Sequence, residues 1–358
     1  MGVFYFHFFY LRRMNVDFII VGCGLAGIHF CEQLKAHQKS FVVFDDLSQQ
    51  SSIVAAGLYN PVVLKRFTSV WNGREQLALA LPSYKTLEIN LNVKLDYKIP
   101  VLRRFTSIEE QNNWFSVIDK PELSQFLSTD IIKNHNAFID APFGFGKVLQ
   151  TGRIDTQLLI AAYKNQLRET NLLIEESFQY HELRHNAELC YKNISGKHIV
   201  FAEGFGLKKN PFFNHLPLNE VKGELLTILA PDVKLDYVLK SSVFVIPLGN
   251  DLYRIGATYN WKDKTNDITA KAKEELLNKL KTFLKCDFHV VSQVAGIRPT
   301  VRDRRPLVGQ HKLHKNMFVL NGLGTRGVMI APYIAKQLYR FIEQDIPLDN
   351  AIDINRFK

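Results

Sequence analysis

The chain has 358 residues, 46% hydrophobic and 22% charged, which is enough to bury the cores of two domains and excludes a disordered or fibrous protein. Its net charge of +10 favours anionic partners, but Lys and Arg are scattered over short groups such as "LRR", "LKK" and "RDRR", a pattern shared by a solvated basic surface and a nucleic-acid face. Four cysteines, Cys23, Cys31, Cys190 and Cys286, show neither CxxC nor His–Cys spacing, so no disulfide framework and no metal site is indicated, and reduced thiols in the cytoplasm are expected.

Residues 1–13 open with a short apolar run that cannot span a bilayer and lacks the basic start and small-residue cleavage site of a signal peptide. Since "MNVDFIIVG" follows, translation is expected to begin at Met14, the alternative being a short interfacial anchor. No transmembrane segment is expected. Residues 16–21 are apolar but for Asp17, as in a strand buried on both faces. Gly22, Gly24 and Gly27 follow at GxGxxG spacing, then a helical period, then "SFVVFDD", a second strand ending in Asp45, 18 residues after the last glycine. This is the dinucleotide-binding unit, with glycines for the tight turn, the approach of a pyrophosphate and helix packing, and an acid for a ribose hydroxyl. An NAD-linked dehydrogenase would use the same unit. The next segment, "SQQSSIVAAGLYNPVVLKRF", is rich in small residues where a simple NAD domain returns at once to a strand. Ala55, Ala56 and Gly57 either lie flat against a planar ring or form a small-residue turn.

Residues 79–141 read as mixed and strand-poor, with a helical stretch over 109–117, and suggest an insertion. An amphipathic helix follows "GRID", with Asp155 or Thr156 as its N-cap. "NLLIEESF" reads as a strand, and "KHIVFAEGFG" as a further buried strand ending in Gly204. Alternating segments between residues 216 and 260 predict an antiparallel sheet, and 264–285 a helix with a lysine-rich solvated face. The last helix is placed over 333–342, behind "NGLGTRGVMIAP", whose glycines let the backbone approach a ligand closely.

The small-residue segment, "VAGIRPTVRDRRPLVGQ" and "NGLGTRGVMIAP" resemble the D-amino-acid-oxidase-like family of FAD enzymes, which includes glycine and sarcosine oxidases, over nearly the whole chain from Met14. The resemblance implies an α/β fold: a Rossmann-like FAD-binding domain on a parallel sheet, from residues 14–78, 142–212 and 291–358, and an inserted α+β substrate domain on an antiparallel sheet, from 79–141 and 213–290. It implies Gly204 beside the FAD phosphates, and Gly322, Gly324, Thr325 and Gly327 facing the flavin pyrimidine end. Arg298 matches the family arginine that anchors a substrate carboxylate through a bidentate fork. Arg326 is either a second anchor or half of a structural ion pair. Arg302, Arg304 and Arg305 either bind phosphate or pair with Asp303. Without a cysteine after Cys286, the cysteinyl link of sarcosine oxidases is not expected, and FAD should be noncovalent.

The activity implied is oxidation of the C–N bond of a secondary amine or N-substituted glycine by hydride transfer to flavin, with a small amine or amino acid as partner. Two departures stand against a simple glycine oxidase: Phe244 replaces a frequent tyrosine, and Leu248 a frequent basic residue. "TVRDRRPLVG", "GLGTRGVMIAP" and the tail "IPLDNAIDINRF" look most like the FAD-dependent domain of bifunctional tRNA 5-methylaminomethyl-2-thiouridine biosynthesis proteins, which would place the amine on a tRNA wobble uridine. The methyltransferase half of those proteins has no counterpart in this sequence. A flavin-binding scaffold without turnover is the rival from another class.

Overall fold

The computed structural model describes residues 13–185 and 188–357; the expected leader, Arg13 apart, lies outside the described residues. The apolar run that follows becomes the strand Met14–Val21, flanked in parallel by Phe41–Phe44 on one side and Ile194–Phe201 on the other. Phe18, Ile19 and Ile20 are wholly buried because both faces are covered: Phe18 and Ile20 pack into one apolar cluster, Ile19 and Val21 into another. The sheet is completed by Leu173–Ile174 outside Phe41–Phe44, and by Met317–Asn321 and then the antiparallel Leu307–Gln310 beyond Ile194–Phe201. This is the expected Rossmann-like parallel sheet, with the chain returning late in the sequence to finish it.

An eight-stranded, mostly antiparallel sheet stands beside it, in the order 289–301, 218–229, 252–256, 244–249, 238–240, 101–104, 145–148 and 127–132. Its spine is the pair Leu218–Leu229 and His289–Val301, which stay in register over most of their length and bend at a bulge between Thr227 and Ile228. One face packs Leu226, Ile228, Val245, Tyr253 and Ile255 against Leu276 and Leu280 of the helix Ala270–Lys281. Lys271, Lys273 and Lys281 of that helix are exposed, as its pattern required.

The segment read as strand-poor contributes Val101–Arg104 and Leu127–Ile132 to this sheet, so that reading is corrected. Their partners are remote in sequence or of irregular register, and no local alternation reveals them. The helix Gly73–Leu91 was also not read. It runs across the boundary drawn at 78/79, and Phe145–Val148, just beyond the boundary drawn at 141/142, belongs to the antiparallel sheet. The last helix begins six residues earlier than placed and runs over Gly327–Gln344, with Pro332 inside it.

Candidate functional site

Three strands of the parallel sheet end together, and each is followed by a glycine: Gly22, Gly204 and Gly322. A Cβ on Gly22, whose φ is +103°, would lie 2.5 Å from the Ala202 carbonyl oxygen, so the loop must pass directly against the neighbouring strand end. A Cβ on Gly27 would lie 2.0 Å from the Gly22 carbonyl oxygen; the helix Leu25–Ala36 rests on the loop there. Gly24 is different. Only the Ser52 hydroxyl, at 3.2 Å, would meet a Cβ, leaving space at the start of a helix whose N-cap has no side-chain partner. The three glycines therefore serve turn, approach and packing separately, and the opening at Gly24 fits a pyrophosphate at a helix N-terminus.

Asp45 follows the second strand, but its carboxylate also works within the protein. Oδ2 accepts from the Cys23 N–H at 2.6 Å, and Oδ1 accepts from Lys164 Nζ at 2.7 Å and from the Leu47 N–H at 2.9 Å. Lys164 is buried on the helix Thr156–Glu169, and neutralising this acid is its evident task. Nothing in "AAYKNQ" marks that lysine among others, and the sequence reading missed it. The Cys23 thiol, buried beside Asp45, is pushed up to about 12, chiefly by burial and then by that carboxylate.

The small-residue segment begins with the turn of helix Ser51–Val54 and continues into Ala55 and Ala56, both half-buried. Gly57, with φ +73°, could not carry a Cβ, which would lie 1.8 Å from the Ile154 carbonyl oxygen. The Ser51 hydroxyl donates to the Ile297 carbonyl, and the Thr156 hydroxyl to the Ala55 carbonyl at 3.2 Å. The segment is thus fixed between strand His289–Val301 and helix Thr156–Glu169, and Ile297 is the chain neighbour of Arg298.

The C-terminal glycine loop meets the same place. The Gly324 N–H donates to the Pro299 carbonyl at 3.0 Å. Asn321 clips the strand ends together: its Nδ2 donates to the Gly204 carbonyl at 2.9 Å and its Oδ1 accepts from the Gly322 N–H at 2.7 Å. A Cβ on Gly327 would lie 3.2 Å from Leu25 Cδ1, so the first and last helices start side by side. Thr325 is exposed and Arg326 is the half-buried N-cap residue.

Arg298 sits on strand His289–Val301 with its guanidinium laid across Gly223 of the neighbouring strand, where a Cβ would lie 1.9 Å from Nη2. Its Nη1 donates to the Thr258 carbonyl at 3.2 Å, and the Tyr259 ring lies 4.8 Å from its central carbon. Burial pushes the guanidinium below its ordinary value, opposed by Tyr259. Arg326 is shifted the same way by burial, again opposed by Tyr259 and reinforced by Arg304. Among the described residues neither Arg298 nor Arg326 is within ion-pair distance of a carboxylate, so the structural-pair reading of Arg326 finds no partner. Asp303 pairs with Arg356 at 2.7 Å rather than with Arg302 or Arg304, and the Arg305 guanidinium lies 5.1 Å from the Trp71 ring centre. Phe244 is half-buried, with Lys240 Nζ 4.5 Å from its ring centre. Gly223, Asn321 and Tyr259 were not singled out from sequence, because each acts through a residue distant along the chain.

Among the described residues, no helix is long and apolar enough to cross a membrane. A family model described as FAD dependent oxidoreductase matches residues 17–340. The glycine oxidase of Bacillus subtilis is 25% identical over 235 residues, covering 62% of this chain and 59% of that protein. The tRNA 5-methylaminomethyl-2-thiouridine biosynthesis bifunctional protein MnmC of a Shewanella species is 25% identical over 231 residues, covering 52% of this chain and 34% of that protein. The chain thus covers less than two thirds of either relative. In fold, it is similar to the crystal structure of glycine oxidase from Geobacillus kaustophilus, with TM-score 0.77, 18% identity, and 96% and 98% of the two chains covered.

Proposed function

The chain belongs to the DAO family of FAD-dependent oxidoreductases, and from that premise we propose that it oxidises the C–N bond of a secondary amine or N-substituted glycine. When bound, FAD supplies a two-electron acceptor for the hydride leaving the carbon next to nitrogen. The chain's own residues have three tasks. Gly22, Gly24, Gly27, Gly204 and the loop 322–327 would hold the cofactor noncovalently, with the open face of Gly24 as the structural fit. Ala55, Ala56 and Gly57 would form a wall thin enough for a planar ring. Arg298 would bind the substrate carboxylate and so place the carbon; water then hydrolyses the imine after release of the amine proton. No strong protein base is required, since the free amine already carries the lone pair.

The observation that carries this reading is Arg298: a half-buried guanidinium with one backbone acceptor and, among the described residues, no carboxylate in ion-pair reach, adjoining both the small-residue segment and the C-terminal glycine loop. A charge in that condition is costly unless an anion joins it. A second reading, in which the amine is carried on tRNA, is favoured by Tyr259 and Trp261, exposed at 61% and 59% on the segment that covers Arg298. Exposed aromatics beside arginines suit stacked bases. Anaerobic mixing of the holoprotein with N-methylglycine, N-substituted glycines, amines lacking a carboxylate, and tRNA bearing a carboxymethylaminomethyl uridine tests both. Bleaching of the flavin by carboxylated amines supports the first, bleaching by tRNA alone the second, and bleaching by none rejects both.

A further inference from the structure

A second pair of arginines, Arg153 and Arg254, adjoins the small-residue segment. A cavity of about 130 Å3 there is lined in part by Ala55, Ala56, Arg153, Asp155, Leu248 and Arg254. Arg153 is 8% exposed, and its Cγ lies 3.5 Å from where a Cβ on Gly57 would be. The Nε atoms of Arg153 and Arg254 are buried and, among the described residues, have no hydrogen-bond partner. One carboxylate serves the pair. Asp155 Oδ2 accepts from Arg153 Nη1 at 3.3 Å, while its Oδ1 accepts from the Leu158 N–H and so caps a helix. The Arg153 guanidinium also lies 4.8 Å from the Tyr97 ring centre, whereas Arg254, among the described residues, is in no ion pair. Two guanidiniums against one carboxylate leave a positive charge in a partly enclosed space, which is unfavourable until an anion enters. The volume equals roughly four waters at about 30 Å3 each, the scale of one carboxylate or phosphate group.

Register places this cavity relative to Arg298. On strand Leu218–Leu229, Arg298 is opposite Val221 and Arg254 is opposite Thr227. Six residues at about 3.4 Å each separate the two backbones by roughly 20 Å along the strand. A ligand engaging both must be extended. We propose that the Arg153–Arg254 cavity is a subsite for a second anionic group, a carboxylate or a phosphate, carried on an extended arm of the amine substrate. This rests on Arg298 as the anchor of the first carboxylate. Guanidinium forks hold either anion by paired charge-assisted hydrogen bonds.

The test uses the FAD-loaded full chain. Calorimetric titration with acetate, with α,ω-dicarboxylates of rising length, and with ω-phosphonocarboxylates of the same lengths reads binding without turnover. Anaerobic flavin bleaching by N-methylglycine and by N-(ω-carboxyalkyl)glycines reads the reaction. Dianions should bind at least tenfold more tightly than acetate at an optimum length, and the stronger series identifies the anion. Arg254→Gln should abolish most of that advantage, and Arg254→Lys, which keeps the charge but loses the fork, should restore only part of it. Affinity independent of length, or an equal loss for acetate and dianions in Arg254→Gln, overturns the proposal. If N-methylglycine bleaches the flavin while length has no effect, only the subsite is lost. If no amine bleaches it but dianions show the length optimum and the Arg254 dependence, the subsite stands and the amine reading fails.

Discussion

At the scale of single residues, adjacent glycines of one motif make different demands. Gly24→Val should fold and lose FAD, because its new side chain meets only the movable Ser52 hydroxyl on the protein side and otherwise fills the opening at the helix start. Gly27→Ala should lose about 1–3 kcal/mol of stability, because the added carbon overlaps the Gly22 carbonyl, which is backbone and cannot swing aside. Flavin absorbance of the purified proteins and their urea midpoints separate the two effects; a Gly24→Val protein with stoichiometric FAD would sink the first. Arg298→Lys removes the fork and should cost about 1.5–3 kcal/mol of carboxylate binding, roughly ten- to a hundredfold in flavin reduction by carboxylated amines, with FAD retained. Equal loss with amines lacking a carboxylate would make Arg298 structural. Gly223→Ala should reproduce the Arg298 defect, since its Cβ would occupy the place of the guanidinium; unaltered rates in that variant would show that Arg298 works from another position. The GxGxxG glycines and Arg298 stand in short local patterns that sequence displays. Gly223 does not, because its need arises from a side chain 75 positions away (298 − 223) that arrives by strand pairing.

At the scale of elements, the last helix shows how a local rule is broken and compensated. Pro332 has no N–H, so the Val328 carbonyl one turn earlier lacks its helical donor. The Tyr84 hydroxyl, from the middle of the helix Gly73–Leu91, donates to that carbonyl at 2.9 Å. Tyr84 is 1% exposed, so no water is at hand to replace it. Tyr84→Phe should therefore lower unfolding free energy by about 1–2 kcal/mol while leaving flavin content intact, a change visible in the urea midpoint; an unchanged midpoint would mean the carbonyl finds another donor. The proline also explains why the start of this helix was placed too late from sequence. The helix Gly73–Leu91 was missed for a related reason: Pro82 interrupts its pattern, and its stability comes from packing against the last helix, which sequence does not show. By contrast, the first strand, first helix and second strand were legible because burial on both faces imposes the apolar runs Phe18–Val21 and Phe41–Phe44 and the glycines punctuate them.

For the molecule as a whole, the two sheets were foreseeable and the pairing of their distant strands was not, and the same burial that joins them sets a pH limit on stability. His29 is 1% exposed, and burial holds it down to about 3. His198 is depressed by burial, and so is His311, in which His314, His215, His185 and Lys315 add repulsion; His314 is depressed by burial and by His185. A histidine depressed in the folded state is neutral in both states above about pH 6.5, and below that the unfolded chain takes up a proton that the folded chain refuses. Stability should therefore fall as the pH drops below about 6.5, by roughly 1.4 kcal/mol per pH unit for His29 alone, or roughly 2 kcal/mol by pH 5. Glu203 acts in the opposite direction. Burial raises it to about 7 despite hydrogen bonds from Asn210 and Tyr180, so its contribution is complete below the ordinary carboxylate range and is lost as the pH rises through about 7. Four histidines outweigh one carboxyl between pH 6.5 and 5, so the urea midpoint should decline across that interval. His29→Phe, which fills the same space against Tyr84 without a titratable ring, should flatten the decline by the largest single share. A midpoint constant from pH 7 to 5 would show that the buried histidines gain protons with the fold intact, and that the packing around them opens more readily than their burial implies.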